Sequence, residues 1–290
     1  MNKEALIKKL GEYFKTRKDV AFAYLFGSVA KDRVHSESDV DIGVYFTPAT
    51  RALEYESENR YPGESEIWGD LEKITERQTD MVVLNRAPST LFYAIMQEGI
   101  PLAINNEGLN NRMYLVISSA AEDYRDFVDD YFKIMQRSNS LSSVDREKLQ
   151  RMISFIEKDC VDFKIFQNTD EMKYKDDRNL RRNIERWAEN IVNSSIDIAK
   201  TLLGSEKRAI PQTYKEILKG LFVLDDFDDK VAEKLSSFSQ TRNILAHEYL
   251  DLRFAMLSRF MKEGEPIYSY LIKYAEDVLE KDSKPNTVKK

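Results

Sequence analysis

A glycine-serine pair and two aspartates lie close together near the start of this sequence. The stretch 25–46 reads LFGSVAKDRVHSESDVDIGVYF, and ten residues separate Gly27-Ser28 from Asp39 and Asp41. Because strand side chains alternate between faces, two aspartates that flank one valine would point the same way. Two carboxylates held side by side repel each other unless something positive lies between them. This spacing raises the possibility of a cation site.

The same residues suit the chemistry of phosphates. Gly27 lets a backbone approach a ligand closely, and a helix that starts at Ser28 would present a phosphate site at its N-terminus. Asp80 begins a later apolar run and could add a third carboxylate. Three carboxylates with one or two Mg²⁺ ions facing a nucleoside triphosphate form a phosphoryl or nucleotidyl transfer site. Alone, an Asp-x-Asp pair at a strand end would favour solvated turn chemistry over a cation site.

A second set of reactive residues lies near the other end, in SQTRNILAHEYLD (239–251). Arg242 can hold a phosphate, and His247 can move protons near neutral pH. Together they would suffice for metal-independent RNA cleavage, in which the 2′-OH attacks the adjacent phosphate. The alternative is a helix C-terminus that carries a cation to suit the helix dipole.

Helix geometry limits how the second set can work. On a continuous helix Arg242 and Tyr249 share a face, whereas His247 lies about 140° away from Arg242. Asn243 is four residues before His247, so these two side chains can touch. Arg242 and His247 therefore converge only if the helix loosens near Ala246 or if a second subunit contributes. We expect a homodimer through the helical half, with the two motifs near its axis.

The elements around the first set alternate between strands and helices. Short apolar runs that are rich in β-branched and aromatic residues predict strands at 20–26, 40–46 and 80–85. Helical periodicity predicts helices at 3–16, 66–77, 88–99 and 109–136. The polar stretch 47–66 is long for a connection and predicts a mobile loop.

Beyond a Ser- and Asn-rich linker at 136–143, nearly everything is helical in pattern. Ile184, Ile191, Ile198 and Leu202 recur at helical spacing, with the small Ser195 on the same face. A short helix is expected from Pro211 to Gly220, followed by helices at about 227–246 and 255–280. The sequence predicts an α+β fold: a domain with a small mixed sheet over 1–138, then an all-α bundle over 139–290.

Composition narrows the class of protein. The chain has 290 residues, of which 42% are apolar, and a net charge of −6, which argues against a long basic surface for duplex nucleic acid. Cys160 is the only cysteine, so neither an intramolecular disulfide nor a cysteine metal cluster can form. No apolar run reaches the roughly 20 residues that span a bilayer. We expect a soluble cytoplasmic protein that does not enter membranes.

The pattern G-S-x10-D-x-D with a later strand-borne Asp resembles the minimal nucleotidyltransferases of the DNA polymerase beta superfamily, over roughly 10–135. The resemblance implies that Gly27 and Ser28 hold the triphosphate of ATP and that Asp39, Asp41 and Asp80 hold Mg²⁺. It also makes Asp80 the residue best placed to help deprotonate the acceptor hydroxyl. The family often has Arg-Gly shortly after Gly-Ser, whereas this chain has Lys31 and Asp32. Lys31 would keep the positive charge beside the nucleotide, and His35 is interpreted as a solvated loop residue.

Residues 144–260 resemble the HEPN family in the branch whose motif is R-x4-H-x-Y. Members are helical dimers, and many are toxin ribonucleases. The resemblance implies that Arg242 and His247 carry catalysis on RNA and that Asn243 supports them. Arg178, Arg182 and Arg186 recur every fourth residue and could bind phosphates, but the interleaved Asp177 and Glu185 favour a merely solvated face at least as strongly.

Transferases and HEPN proteins of these two branches usually occur as antitoxin and toxin pairs, and the transferase adenylylates the tyrosine of R-x4-H-x-Y. Here both lie in one chain, and the tyrosine is Tyr249. The resemblance implies a fused toxin–antitoxin protein that transfers AMP to Tyr249 and so silences its own ribonuclease. Two alternatives stay open: an antibiotic-type nucleotidyltransferase whose helical domain shapes the acceptor site, and a non-catalytic nucleotide-binding scaffold.

Overall fold

The computed structural model of the chain describes residues 2–31, 39–50, 53–137, 140–247 and 250–283. The chain divides into two compact units, Met1–Asp126 and Phe127–Lys290. The sequence predicted the domain boundary at residue 138. In the structure this position follows the long helix Glu107–Arg137, which contributes residues to both units.

Unit 1 is built on a four-stranded mixed sheet. The strands are β1 Val20–Phe26, β2 Val40–Phe46, β3 Thr79–Val83 and β4 Ile100–Ile104, in the spatial order β3-β2-β1-β4. β1 pairs antiparallel with both β2 and β4, whereas β2 and β3 are parallel. The helices are α1 Lys3–Thr16, α2 Gly27–Ala30, α3 Glu64–Thr75, α4 Ser89–Glu98 and α5 Glu107–Arg137, with a 3₁₀ turn at Leu84–Arg86.

Both faces of this sheet are covered, which is why its central strands are continuous apolar runs. One face packs on residues of α1 and α3 such as Leu10 and Leu71. The other packs on residues of α4 and α5 such as Phe92 and Met113. Side chains of β2 alternate between the two clusters, since Val40, Ile42 and Val44 belong to the α1/α3 side while Tyr45 belongs to the α4/α5 side.

The predicted strands at 20–26 and 40–46 are confirmed, but the strand β4 was not predicted. β4 is only five residues long and contains Pro101, which lies just beyond the helix predicted at 88–99. Proline is tolerated there because β4 is at the edge of the sheet, where one side of the backbone needs no partner. The third strand also runs over 79–83 rather than 80–85, because Leu84 starts the 3₁₀ turn.

The described part of the connection between β2 and α3 packs on the unit. The ring of Tyr61 stacks on Phe46 with centroids 4.7 Å apart, and its hydroxyl donates to Glu54. Arg86 donates to both carboxylate oxygens of Glu64, at 2.6 and 2.8 Å. The polar composition of this stretch, which led to the prediction of a mobile loop, does not reveal these contacts.

Unit 2 is all-helical and is organised around one long helix, α9 Arg178–Ser205. Its further helices are α6 Ser143–Cys160, α7 Phe163–Phe166, α8 Glu171–Asp176, α10 Tyr214–Gly220, α11 Asp229–Phe238, α12 Gln240–His247 and α13 Leu250–Ser283. α6, α10, α12 and α13 all pack against α9. The five residues predicted to form the apolar face of α9 are all buried: Ile184, Ile191, Ser195, Ile198 and Leu202. The predicted α+β architecture is confirmed.

One predicted helix is two in the structure. The pattern over about 227–246 predicted a single helix, but α11 ends at Phe238 and α12 begins at Gln240. The hydroxyls of Ser236, Ser237 and Ser239 each donate to the carbonyl three residues earlier, at 2.6–2.7 Å. Such bonds compete with the helical ladder, and at Ser239 the backbone N–H also shifts to the carbonyl of Ser236. In the described parts of the chain, no helix combines the length and apolar content that crossing a membrane requires.

Candidate functional site

Unit 1 brings two of the predicted carboxylates into register on neighbouring strands. Asp41 of β2 is paired directly with Asp80 of the parallel strand β3. Asp80 is exposed, whereas Asp41 and Asp39 are half-buried. Since Val40 and Ile42 point to the α1/α3 side, alternation places Asp39 and Asp41 on the opposite face, and the register places Asp80 there too. We call Asp39, Asp41 and Asp80 the acidic edge.

The pKa of Asp41 reflects its burial and its acidic neighbours. The pKa of Asp41 is raised above its ordinary value, first by burial and then by the negative charges of Asp80 and Asp39. Among the described residues, no three Asp, Glu, His or Cys side chains are gathered tightly enough to hold a metal ion. The donor chemistry nevertheless suits Mg²⁺, which prefers carboxylate oxygens and would relieve the repulsion that raises this pKa.

The raised pKa gives the first prediction. A carboxyl whose pKa is higher in the folded state costs stability as the pH rises through its ordinary value of 3.8 and beyond, because the folded state then holds an unfavourable charge. Asp41→Asn should therefore melt a few degrees higher than the wild type at pH 7, with about 2–4 °C for each kcal/mol relieved. The difference should close toward pH 3. Equal melting temperatures of the two proteins across this pH range, measured by calorimetry without added divalent ions, would contradict the prediction.

The backbone at Gly27 lies directly against Asp41 of the acidic edge. Its φ is +72°, a region that favours glycine, and a Cβ built on it would collide with the carboxylate of Asp41, whose Cγ would lie 2.7 Å away. Phe26, just before it, is paired with Asp41 across the antiparallel strands. The turn is held in place by the buried Val29 and by Lys3, whose ammonium donates to the Ala30 carbonyl at 2.7 Å. Only glycine lets this backbone lie against the carboxylates.

Gly27→Ala is the second prediction. The left-handed φ alone should cost about 1–2 kcal/mol, and the displaced Asp41 carboxylate should abolish the Mg-ATP binding that the resemblance implies. The matched control is Gly69→Ala in α3, where nothing lies within 4 Å of the added Cβ, so that this helical substitution should stabilise by roughly 0.5–1 kcal/mol. Denaturant unfolding and titration with a fluorescent ATP analogue measure both effects. Nucleotide binding by Gly27→Ala at wild-type strength would overturn the role given to this turn.

The other two predicted nucleotide ligands also lie at this turn. Ser28 is half-buried in α2. Lys31 is exposed and forms an ion pair with Glu98, the last residue of α4. The negative charge of Glu98 was not anticipated from the sequence, because the two residues are 67 positions apart. The pKa of Glu98 is lowered by the hydrogen bond from Lys31.

In unit 2 the guanidinium of Arg242 lies over an aromatic ring. Its Cζ is 4.4 Å from the ring centroid of Tyr214, a cation–π contact. The ring of Phe127 meets Tyr214 edge-on, with centroids 5.4 Å apart. Thr213 caps α10 by accepting from the backbone N–H of Glu216, which fixes Tyr214 at the first position of that helix. No sequence pattern predicts this contact, since it joins residues on separate helices.

The helix that carries Arg242 is firmly anchored. Thr241 is fully buried, and its hydroxyl donates to the sulfur of Met256 on α13 at 3.0 Å. α12 remains helical through Ala246 to His247, so the structure does not show the loosening that was one of the two ways to bring Arg242 and His247 together. The side chains of Asn243 and His247, and all of Tyr249 and His35, lie outside the described residues.

Comparisons with known proteins agree with the two units. Residues 8–108 match the family described as "Polymerase beta, Nucleotidyltransferase", and residues 156–275 match the family described as "Ribonuclease HepT-like". The chain therefore contains a polymerase beta nucleotidyltransferase domain followed by a HEPN-like ribonuclease domain, as the resemblances implied.

Single proteins are less informative than the families. A solved chain described as "Crystal structure of the toxin-antitoxin with AMP-PNP" is 20% identical and covers 45% of this chain and 98% of its own length, with a TM-score of 0.34. That TM-score is too low for the likeness to bear on function. No curated protein is similar enough to count as a match.

Proposed function

We propose that this chain, which joins a polymerase beta nucleotidyltransferase domain to a HEPN-like ribonuclease domain, is a fused toxin–antitoxin protein. Its first domain transfers AMP from Mg-ATP to Tyr249 and thereby silences the second. The observation that carries the proposal is the acidic edge, where Asp41 and Asp80 are in register beside the glycine turn at Gly27. Since ATP and RNA are both cytoplasmic, we place the action of the protein in the cytoplasm.

In the transfer reaction, each element of the site has one task. Asp39, Asp41 and Asp80 would hold Mg²⁺, which when bound neutralises the charge that develops on the phosphates. The backbone at Gly27 and Ser28 would bind the triphosphate, and Lys31 would add a positive charge once it leaves Glu98. The Tyr249 hydroxyl oxygen bonds to the α-phosphorus of ATP, pyrophosphate leaves, and Asp80 accepts the hydroxyl proton.

In the second domain Arg242 and His247 would cleave RNA without a metal. Arg242 holds the phosphate, His247 transfers protons between the 2′-OH and the leaving 5′-oxygen, and Asn243 supports His247. An AMP ester at Tyr249 would add bulk and negative charge where the RNA phosphate must bind. Because α12 is a continuous helix to His247, we infer that the Arg242 of one subunit works with the His247 of a second in a homodimer.

Label transfer from ATP tests this function. With ATP labelled at the α-phosphate and Mg²⁺ present, the wild type should become labelled and Tyr249→Phe should not, because phenylalanine keeps the ring but lacks the nucleophilic hydroxyl. Tyr114→Phe, at a tyrosine that is 39% exposed, is the control and should be labelled like the wild type. Label that passes to an added aminoglycoside and never to the protein would instead establish a small-molecule nucleotidyltransferase.

The contact between Tyr214 and Arg242 gives a third prediction, for RNA cleavage by unmodified protein. Tyr214→Phe keeps the ring face under the guanidinium and should leave the cleavage rate within about twofold. Tyr214→Leu removes it and should slow cleavage roughly fivefold, since a half-buried cation–π contact contributes about 1 kcal/mol. Single-turnover cleavage of a fluorescent RNA is the measurement. Equal rates for the Leu and Phe variants would show that the ring does not position Arg242.

A further inference from the structure

A row of exposed arginines lies on the outer face of α9. Arg178, Arg182 and Arg186, here called the arginine stripe, are all exposed. Residues four apart on a helix lie near one another on one side, with a rise of about 6 Å from each to the next. Asn179 and Asn183, which each follow an arginine of the stripe, are exposed as well. The surface thus presents a guanidinium and an amide side by side at the first two of the three positions.

The acidic residues that the sequence places among these arginines point elsewhere. The carboxylate of Asp177 caps α9 by accepting from the backbone N–H groups of Asn179 and Leu180, at 2.9 and 3.0 Å. Glu185 accepts from the hydroxyl of Tyr174 at 2.6 Å and pairs with Arg253 of α13 at 3.2 Å. Both acids therefore have structural roles.

The charge of the stripe is left largely uncompensated. The side chains of Glu185 and Arg253 are only 19% and 22% exposed, so this pair is withdrawn from the surface. Among the described residues, neither Arg178 nor Arg182 forms an ion pair, while Arg186 has only a surface pair with Glu189 at 3.1 Å. Such a surface pair is weak and yields to a stronger anion. In a chain of net charge −6, this is a locally basic strip.

The stripe lies on the helix that supports the ribonuclease motif. α12, which carries Arg242, packs against α9. The ion pair between Glu185 and Arg253 ties the middle of the stripe to the first turn of α13, six residues beyond His247 in the chain. A strand that follows α9 would therefore pass the first turn of α13 and lie on the helix against which α12 packs.

We propose that the arginine stripe binds the sugar–phosphate backbone of single-stranded RNA and guides it to the motif at Arg242 and His247. This inference rests on the proposed ribonuclease function and names the surface that holds its substrate. Guanidinium groups match the geometry of phosphate oxygens, and a regular axial repeat suits a polymer whose charges also repeat. An acidic surface of a protein partner has no such regular repeat of charge, and it would not require arginines at a regular spacing.

RNA binding in a cleavage-dead background tests the stripe. All proteins carry Asp39→Asn, Asp41→Asn and His247→Ala, so that they are unmodified and cut nothing. Fluorescence anisotropy with a labelled single-stranded RNA then compares this parent with Arg178→Gln/Arg182→Gln/Arg186→Gln. The control, Lys230→Gln/Lys262→Gln/Lys273→Gln, removes the same charge from exposed positions on α11 and α13.

The stripe variant should bind about 10- to 100-fold more weakly near 0.1 M salt. Each lost phosphate contact reduces the slope of log K against log salt concentration by about 0.7, so three should reduce it by about 2. The control should keep the slope of the parent. The proposed role of the stripe would be wrong if the stripe variant kept the affinity and slope of the parent, while the same protein with His247 restored cut RNA. The ribonuclease function would then still stand. If the parent bound no RNA and the protein with His247 restored cut none, both the role of the stripe and the ribonuclease function would be wrong.

Discussion

The double variant Asp39→Asn/Asp41→Asn is expected to lose AMP transfer to Tyr249 by roughly 10³-fold or more. Two of the three carboxylates of the acidic edge lose the charge that a divalent cation needs, and the electrostatic stabilisation of the transferred phosphoryl group goes with it. The fold should survive, because the change removes the burial of a charge and the repulsion between carboxylates that together raise the pKa of Asp41. The control Asp126→Asn/Asp129→Asn makes the same charge change at exposed positions of α5 and should transfer AMP normally.

In cells this double variant should also be toxic. Without AMP on Tyr249 the ribonuclease would be active, so growth should slow and RNA should be cut. Adding His247→Ala should restore growth, because it removes the group that transfers protons. If the unmodified double variant neither slows growth nor cuts RNA, the toxin half of the proposal is wrong.

The second large effect concerns how the ribonuclease site is assembled. Arg242→Ala and His247→Ala, each made in the unmodified background, should separately reduce RNA cleavage by about 10²- to 10⁴-fold. Mixed in equal amounts and allowed to exchange subunits, they should recover about a quarter of the unmutated rate. Half of the dimers would then be mixed, and twofold symmetry gives each of these one site with both residues intact.

The recovery separates a shared site from a site within one chain. If Arg242 and His247 of the same chain act together, the mixture should stay as inactive as its components. The control mixes Arg242→Ala with the double variant Arg242→Ala/His247→Ala, which cannot restore any site and should show no recovery. Sedimentation of the unmodified protein should show a dimer at micromolar concentration, and a monomer that cleaves RNA would contradict the shared site.

The sequence predicted the centre of unit 1 better than its periphery. The strands β1 and β2 are recognisable because both their faces are buried, and the acidic edge because alternation fixes which side chains share a face. The edge strand β4 was missed because Pro101 is tolerated only through its place in the sheet. The pairing of Lys31 with Glu98 was missed because it depends on where α4 ends.

In unit 2 the missed features are likewise long-range or depend on backbone competition. Helical periodicity finds the buried face of α9, but it cannot tell that Glu185 turns inward to Arg253 and leaves the arginines exposed. It joins α11 to α12 because apolar spacing continues across Ser239, where serine hydroxyls compete for the backbone carbonyls. The ring of Tyr214 reaches Arg242 only through the packing of separate helices.

Transfer of AMP to Tyr249 is tested by the intact mass of the purified protein before and after incubation with ATP and Mg²⁺, starting from protein that contains Tyr249 unmodified. We expect a gain of one or more whole adenylyl groups, located on Tyr249 by peptide mapping and absent when Mg²⁺ is withheld. A mass that does not change, or a gain that maps to another residue and persists in Tyr249→Phe, would contradict it.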